Sequence, residues 1–404
     1  MPLRELILYQ FVFALVFVLC FEGVSRIGFT VYAGHTPGAQ RELGWFSFTP
    51  DLGWDRRPNF NGRDLCGAPR AFDSRGLVSI DAAQLHNTGP ENRRVLFLGD
   101  SNTYGYCLET ETTFVEVAER LLPQFSMINL GVNGYTSFQG YKTLLKYGSI
   151  VKPSVVVISF NFNDRRSALG EQPDSDAVFR QLVGWQARAR AALAHSYSIR
   201  AMILLSEKLG LIKPRVADVR LDKLIPRVDE RSYRDNLIKM VRWTRQHGGV
   251  PIFILLRDNP QDAELLRQGI RYLSDKNYEA AIKYLTMVTK HPHSALVELA
   301  SLYLSRAYRE LGQVDKAEQV LWMKGVNRLT ALHGGRVIRL DTDYNKIMMD
   351  VSREYDVLLV DAVRELEKNP RVFFDVAHFD VEGHEIVGSL LKDALAKVKG
   401  PVPP

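Results

Sequence analysis

Five short apolar runs punctuate the chain, at 95–98, 127–130, 155–160, 252–256 and 357–360. Each is continuous rather than alternating, and stretches with helical spacing separate them. Continuous apolar strands are buried on both faces, and helices between successive strands make the connections parallel. The pattern therefore predicts an α/β fold, with a five-stranded parallel sheet between two helical layers. In such sheets ligands gather beyond the carboxyl ends of the strands, so the polar turns that follow the runs are the places to look for function.

Three segments lie outside this alternation. Residues 6–21, LILYQFVFALVFVLCF, are almost wholly apolar, and 23–33 adds only Arg26 as a charge. A spanning helix needs about 17–25 such residues, so a signal-peptide core and a buried helix compete with a membrane anchor. The position at the start of the chain favours a targeting segment, and Glu22-Gly23-Val24-Ser25-Arg26 offers no small-residue cleavage site. The bulky Leu19 before Cys20 argues against lipoprotein processing. The expectation is an uncleaved single-pass transmembrane helix over 1–33. Arg4 on one side and Arg26 on the other push its orientation only slightly, and the bulk of the chain is expected outside the cytoplasm. Residues 34–93, rich in Gly, Pro, Asn and Asp, read as a lead-in of loops and short strands.

The third segment, 263–325, is a helical block inserted between the fourth and fifth runs. It splits the main domain into 94–262 and 326–404. Within it Tyr272 and Tyr308, and likewise Ala281 and Ala317, stand about 36 residues apart, close to the roughly 34-residue period of tetratricopeptide repeats. About two such repeats, able to take a protein partner, are one reading; two generic amphipathic hairpins are the other. The stretch 167–233 is a further long connection, helical by pattern at 179–193 and 198–209.

Composition narrows the function classes. Hydrophobic residues at 46% and charged ones at 24% exclude disorder. The net charge of +6 is spread among acidic residues rather than clustered. No nucleic-acid partner is therefore expected, whereas weak attraction to anionic lipid or glycan fits. Three cysteines make neither a disulfide framework nor a zinc site, and Cys66 and Cys107 read equally as a pair or as two separate thiols. His291-Pro292-His293 lacks the companions a metal would need. No cofactor or metal is expected, and neither G-x-S-x-G nor a phosphate-binding G-x-x-x-x-G-K-S/T occurs.

Chemistry gathers after four of the runs. The first leads into Gly99-Asp100-Ser101-Asn102, a serine at a helix entrance, which is either a nucleophile or a plain helix cap. The second leads into Asn129-Leu130-Gly131-Val132-Asn133-Gly134 and the third into Asn161-Phe162-Asn163-Asp164. Glycine N–H groups and asparagine amides at such turns suit an oxyanion. After the last run comes Asp375-Val376-Ala377-His378, where a carboxylate and an imidazole share one short loop. A serine nucleophile needs a base, and the base needs a partner that holds its tautomer. Arg165 and Arg166, right after Asn163-Asp164, read either as substrate contacts or as a solvated loop.

In this order the four segments resemble the motif blocks of the SGNH/GDSL hydrolase superfamily, over 94–164, 233–256 and 338–395. The resemblance implies a flavodoxin-like three-layer α/β/α fold and an ester hydrolase working through an acyl-enzyme. It implies Ser101 as nucleophile, His378 as base and Asp375 as its partner, with Ser101 N–H, Gly134 and Asn163 forming the oxyanion hole. The glycine that the family carries first in G-x-N-D is Asn161 here, which with Arg165 becomes a candidate substrate contact. An acylated small molecule, glycan or lipid is the implied substrate. A polysaccharide O-acyltransferase using the same residues, and a repeat-bearing scaffold without activity, are the alternatives.

Overall fold

The computed structural model describes residues 45–64, 66–77, 93–166, 168, 173–183, 225–258, 260–290, 296–323, 344–375 and 377–398, with 9–10, 12–13, 16–17, 19–25, 27, 198 and 202. Two small antiparallel hairpins come first. Strand β1 (Phe46–Thr49) pairs with β2 (Gly53–Arg56), and β3 (Asn61–Arg63) with β4 (Pro69–Ala71). The main sheet comprises β5 (Arg93–Gly99), β6 (Phe125–Asn129), β7 (Val155–Ser159), β8 (Val250–Leu255) and β9 (Leu358–Asp361). All its pairings are parallel and the spatial order is β6-β5-β7-β8-β9. The strand order reverses at β5, and the crevice there is where α/β sheets hold ligands.

The expected burial of both faces follows from the two-residue period of the strand. Along β5, Val95 and Phe97 join one apolar cluster and Leu96 and Leu98 the other, all at most 1% exposed. Helices α1 (Ser101–Tyr104), α2 (Phe114–Leu121), α3 (Ser137–Val151), α4 (Asp176–Val183) and α5 (Glu230–Gln246) are joined by α10 (Tyr344–Glu354), α11 (Val363–Lys368) and α12 (Val381–Leu395) around the sheet. One face is covered by α3, α5 and α10, through Leu144, Leu237 and Met348. The other is covered by α2 and α12, through Phe114, Val387 and Leu391. Their entrances are marked in the chain: Thr113 accepts from Glu116 N–H, Asp229 from Ser232 N–H and Asp380 from Gly383 N–H, the caps of α2, α5 and α12.

Among the described residues, four helices run between β8 and α10: α6 (Pro260–Ser274), α7 (Tyr278–Thr289), α8 (Val297–Glu310) and α9 (Val314–Met323). Small Ala281, Ala307 and Ala317 are fully buried where helices approach one another. Their apolar cluster of Leu266, Leu285 and Leu299 also takes in Phe162 and Ala377. The block thus rests on residues next to Asn163 and His378.

Among the described residues no helix is long and apolar enough to cross a membrane. About half of 1–33, the expected anchor, lies outside the described residues, and those described between Tyr9 and Ile27 are helical. The helix expected at 179–193 is found as Asp176–Val183; 184–197 and all but Met202 of 199–209 lie outside the described residues. Cys66 and Cys107 form a disulfide, so the pair is the reading that holds.

Candidate active site

Strand β5 ends at Gly99, and the chain turns at once into the four-residue helix α1. Asp100 is its cap: Asp100 Oδ1 accepts the N–H of Asn102 at 3.0 Å. Ser101 is therefore the first helical residue rather than the cap, which frees its hydroxyl. Gly131, on the turn after β6, lets α1 come close. A Cβ there would stand 2.4 Å from Tyr104 N and 2.6 Å from Thr103 C, and Asn129 Nδ2 donates to Thr103 O at 2.7 Å.

The loop between β9 and α12 brings the other partners. Asp375 Oδ1 accepts the N–H groups of Ala377 and His378 at 2.8 and 2.7 Å, which folds the loop around the carboxylate. Asp375 Oδ2 meets His378 Nδ1 at 2.6 Å, and His378 Nε2 meets Ser101 Oγ at 2.7 Å. An ionised carboxylate only accepts, so Nδ1 carries the ring proton and Nε2 offers its lone pair to the serine hydroxyl. Asn102 Nδ2 donates to Ala377 O at 2.9 Å, tying the two loops together. Ser101 and Asp375 are each 8% exposed. Tyr106 and Phe374 flank His378, with ring centroids 4.5 and 5.8 Å from the imidazole.

Of the expected oxyanion donors, Gly134 has φ +79° on the turn after β6, a conformation that suits glycine. Leu130 N–H and Val132 N–H bond to Phe97 O and Gly99 O, which holds this turn against the end of β5. Asn163 is 2% exposed, and its Nδ2 donates to Asp100 Oδ2 at 3.2 Å. Asp100 so links the serine helix to the turn after β7, and burial pushes its carboxyl up to about 6. Burial likewise pushes Asp164 up to about 7, although Ser137 N–H and Oγ–H donate to it at 2.9 and 2.6 Å.

Asn161 lines a small cleft together with Asp100, Asn102, Phe162, Leu256 and Asp258, and its Nδ2 donates to Asn345 Oδ1 at 2.7 Å. Arg165 is placed differently from Asn161. It is 7% exposed, and its guanidinium pairs at 2.5 Å with Asp258, which lines the cleft. Among the described residues no group of three His, Cys, Asp or Glu side chains could hold a metal.

Several side chains around the site carried no signal in the sequence. Arg227 donates to Gly134 O at 2.6 Å and to Asp174 Oδ1 and Oδ2 at 3.0 and 2.7 Å. Arg70 donates to Gly105 O and Leu108 O at 2.6 and 2.7 Å, while its guanidinium lies 4.5 Å from the Tyr104 ring. With the Cys66–Cys107 bridge, Arg70 holds the loop that carries Tyr106. His384 accepts the Phe114 N–H at Nδ1, 2.9 Å away, and burial drives its pKa down to about 3. Arginines and a histidine at long sequence distance look like any surface residue until the fold joins them.

The model of the GDSL-like lipase/acylhydrolase family matches residues 97–386. No curated protein matches the chain. Among solved structures it is similar to a lipolytic protein of the G-D-S-L family from Veillonella parvula, at 10% identity and a TM-score of 0.36, covering 76% of this chain and 100% of that one. It is also similar to a GDSL-like lipase from Bacteroides thetaiotaomicron, at 13% identity and a TM-score of 0.34, covering 76% and 88%. A catalytic mutant of an acetylxylan esterase from Geobacillus stearothermophilus is similar at 15% identity and a TM-score of 0.36, covering 75% and 94%.

Proposed function

We propose, for a chain that belongs to the GDSL-like lipase/acylhydrolase family and is an ester-bond hydrolase, that Ser101 takes the acyl group of an O-acyl ester onto its own oxygen. The observation that carries this reading is the line of hydrogen bonds Asp375–His378–Ser101, at 2.6 and 2.7 Å. His378 Nε2 takes the hydroxyl proton as Ser101 Oγ attacks the ester carbonyl carbon. Asp375 keeps the ring in the tautomer that leaves Nε2 free and stabilises the imidazolium that forms. The tetrahedral oxyanion is held by the N–H groups of Ser101 and Gly134 and by Asn163 Nδ2. Its collapse breaks the ester C–O bond, and His378 returns the proton to the leaving alcohol. Water then repeats the sequence on the acyl-enzyme and releases the acid.

The substrate is an acylated ester of a cell-envelope glycan or lipid. The leaving alcohol has to lie within reach of His378 Nε2, where the rings of Tyr106 and Phe374 offer it an apolar surface. Asn161 contacts the substrate from the cleft, and Arg165 acts through Asp258. The chain is anchored by its N-terminal segment, with the catalytic domain outside the cytoplasm. In support, Phe13, Phe17 and Leu19 are 75%, 61% and 62% exposed, an arrangement suited to lipid, and the Cys66–Cys107 bridge suits an oxidising compartment. The helices α6–α9 form a tetratricopeptide-like pair that leans on the hydrolase and offers its outer surface to a protein partner.

The test compares p-nitrophenyl acetate hydrolysis by the full chain and by Ser101→Ala. The expected loss is at least about 10³-fold in kcat with the melting temperature unchanged. Full turnover by the variant would overturn the reading.

A further inference from the structure

Trp54 lies outside residues 97–386, on strand β2 of the first small hairpin. Its indole Nε1–H donates to Asn133 O at 2.9 Å. A trans peptide carries its C=O and N–H on opposite edges of one plane, and the edge opposite Asn133 O is the N–H of Gly134. Fixing the carbonyl therefore fixes the direction of that N–H, away from the indole. The next peptide is held as well, because Arg227 Nη1 donates to Gly134 O at 2.6 Å. Gly134, at φ +79°, sits between the two clamps. Among the described residues, its own N–H has no acceptor in the protein.

The indole is itself held. It packs edge-on against Tyr135 and Phe179, with centroids 5.9 and 6.4 Å apart, and the Arg227 guanidinium lies 5.5 Å from its ring. Tyr135 Oη–H donates to Trp54 O at 2.6 Å. Gln139 Nε2 donates to Leu52 O at 2.6 Å, and Arg56 Nη1 to Asn129 O at 3.0 Å. The hairpin is thereby bonded on both sides of Trp54, at Leu52 to α3 and at Arg56 to the end of β6.

We propose that Trp54 is a positioning residue for acyl transfer, holding the Gly134 N–H on the oxyanion by bonding the carbonyl at the far edge of the same peptide. The inference rests on the reading of Ser101 as nucleophile and Gly134 as oxyanion donor. The hydrogen bond at the carbonyl also polarises the peptide, which makes its N–H the stronger donor. An oxyanion contact acts in the transition state and not on the bound ester, so its loosening appears in kcat and leaves KM in place.

The test uses the full chain, its Ser101→Ala and Trp54→Phe variants, and a third chain with benzothienylalanine in place of Trp54, which keeps the ring shape and replaces only the N–H. Deleting an oxyanion donor outright lowers kcat by about 10²–10³. Loosening one is expected to lower it by about tenfold, with KM within about twofold of wild type, in both position-54 variants. Ser101-dependent turnover with an unaltered kcat in the benzothienylalanine chain overturns the inference alone. So does a change confined to KM or to melting temperature. Equal rates for wild type and Ser101→Ala overturn the nucleophile reading, and this inference with it.

Discussion

Replacing Gly131 by Ala tests whether the closeness of α1 to the turn after β6 sets the position of Ser101. The added Cβ would stand 2.4 Å from Tyr104 N and 2.6 Å from Thr103 C, both backbone atoms. Ordinary contact begins near 3.4 Å, so the α1 backbone has to give by about 1 Å. That helix begins with Ser101, whose Oγ meets His378 Nε2 at 2.7 Å, and a 1 Å misplacement of a reacting group is enough to lower a rate by about 10²-fold. The expected result is a kcat for p-nitrophenyl acetate about 10²-fold below wild type in a chain that still melts cooperatively. Gly148→Ala is the control, since its Cβ would stand 2.2 Å from the Trp243 ring on the opposite end of α3 from the site. It should lower stability by about 1–3 kcal/mol through overpacking while sparing kcat. A folded Gly131→Ala chain with a kcat within about threefold of wild type would refute the argument that helix placement governs the rate.

Three other outcomes follow from His384, Arg165 and the disulfide. Because burial holds the His384 pKa at about 3 against about 6.5 in an unfolded chain, folding excludes a proton that the unfolded chain binds. Its contribution is complete above pH 6.5 and drains as the pH falls toward 3, by about 2 kcal/mol at pH 5; urea melts at pH 7 and 5 should show that loss in wild type and not in His384→Gln, and parallel losses would contradict it. Arg165→Met leaves the partly buried Asp258, on the cleft, without its partner, so the unfolding free energy should fall by about 1–3 kcal/mol, whereas a raised KM at full stability would assign Arg165 to the substrate. The Cys66–Cys107 bridge closes a separation of 41 residues, so the double serine variant should lose about 4 kcal/mol in the chain-entropy account, and an unchanged urea midpoint would count against it.

The parallel sheet was legible because its signal is local and repeated. Val95, Phe97, Leu96 and Leu98 are all apolar, which means both faces are covered, and the same holds at 155–158. Strand ends were less sharp: β9 runs on to the exposed Asp361, since backbone pairing with Leu255 continues after the apolar run stops. The motif turns at Ser101, Gly134, Asn163 and Asp375–His378 could be picked out as short polar clusters after strands. What stayed hidden were contacts made at long range. Trp54 and Asn133 are separated by 79 residues, and neither residue type announces the other. The role of Asp100 was hidden too, because a helix of four residues has no periodicity, so whether Ser101 or its neighbour supplied the cap could be decided only from φ and the Asn102 N–H bond. Arg165 illustrates the converse: adjacent to a motif in sequence, it turns its charge onto Asp258.

The central claim is a covalent acyl group on Ser101. Acid-quenching the full chain during p-nitrophenyl acetate turnover and mapping its peptides by mass spectrometry tests this most directly. The account predicts one acetyl group on the peptide bearing Ser101, absent from Ser101→Ala and absent before substrate is added. Turnover that proceeds with the acetyl group on another residue, or at the same rate in Ser101→Ala, would contradict it.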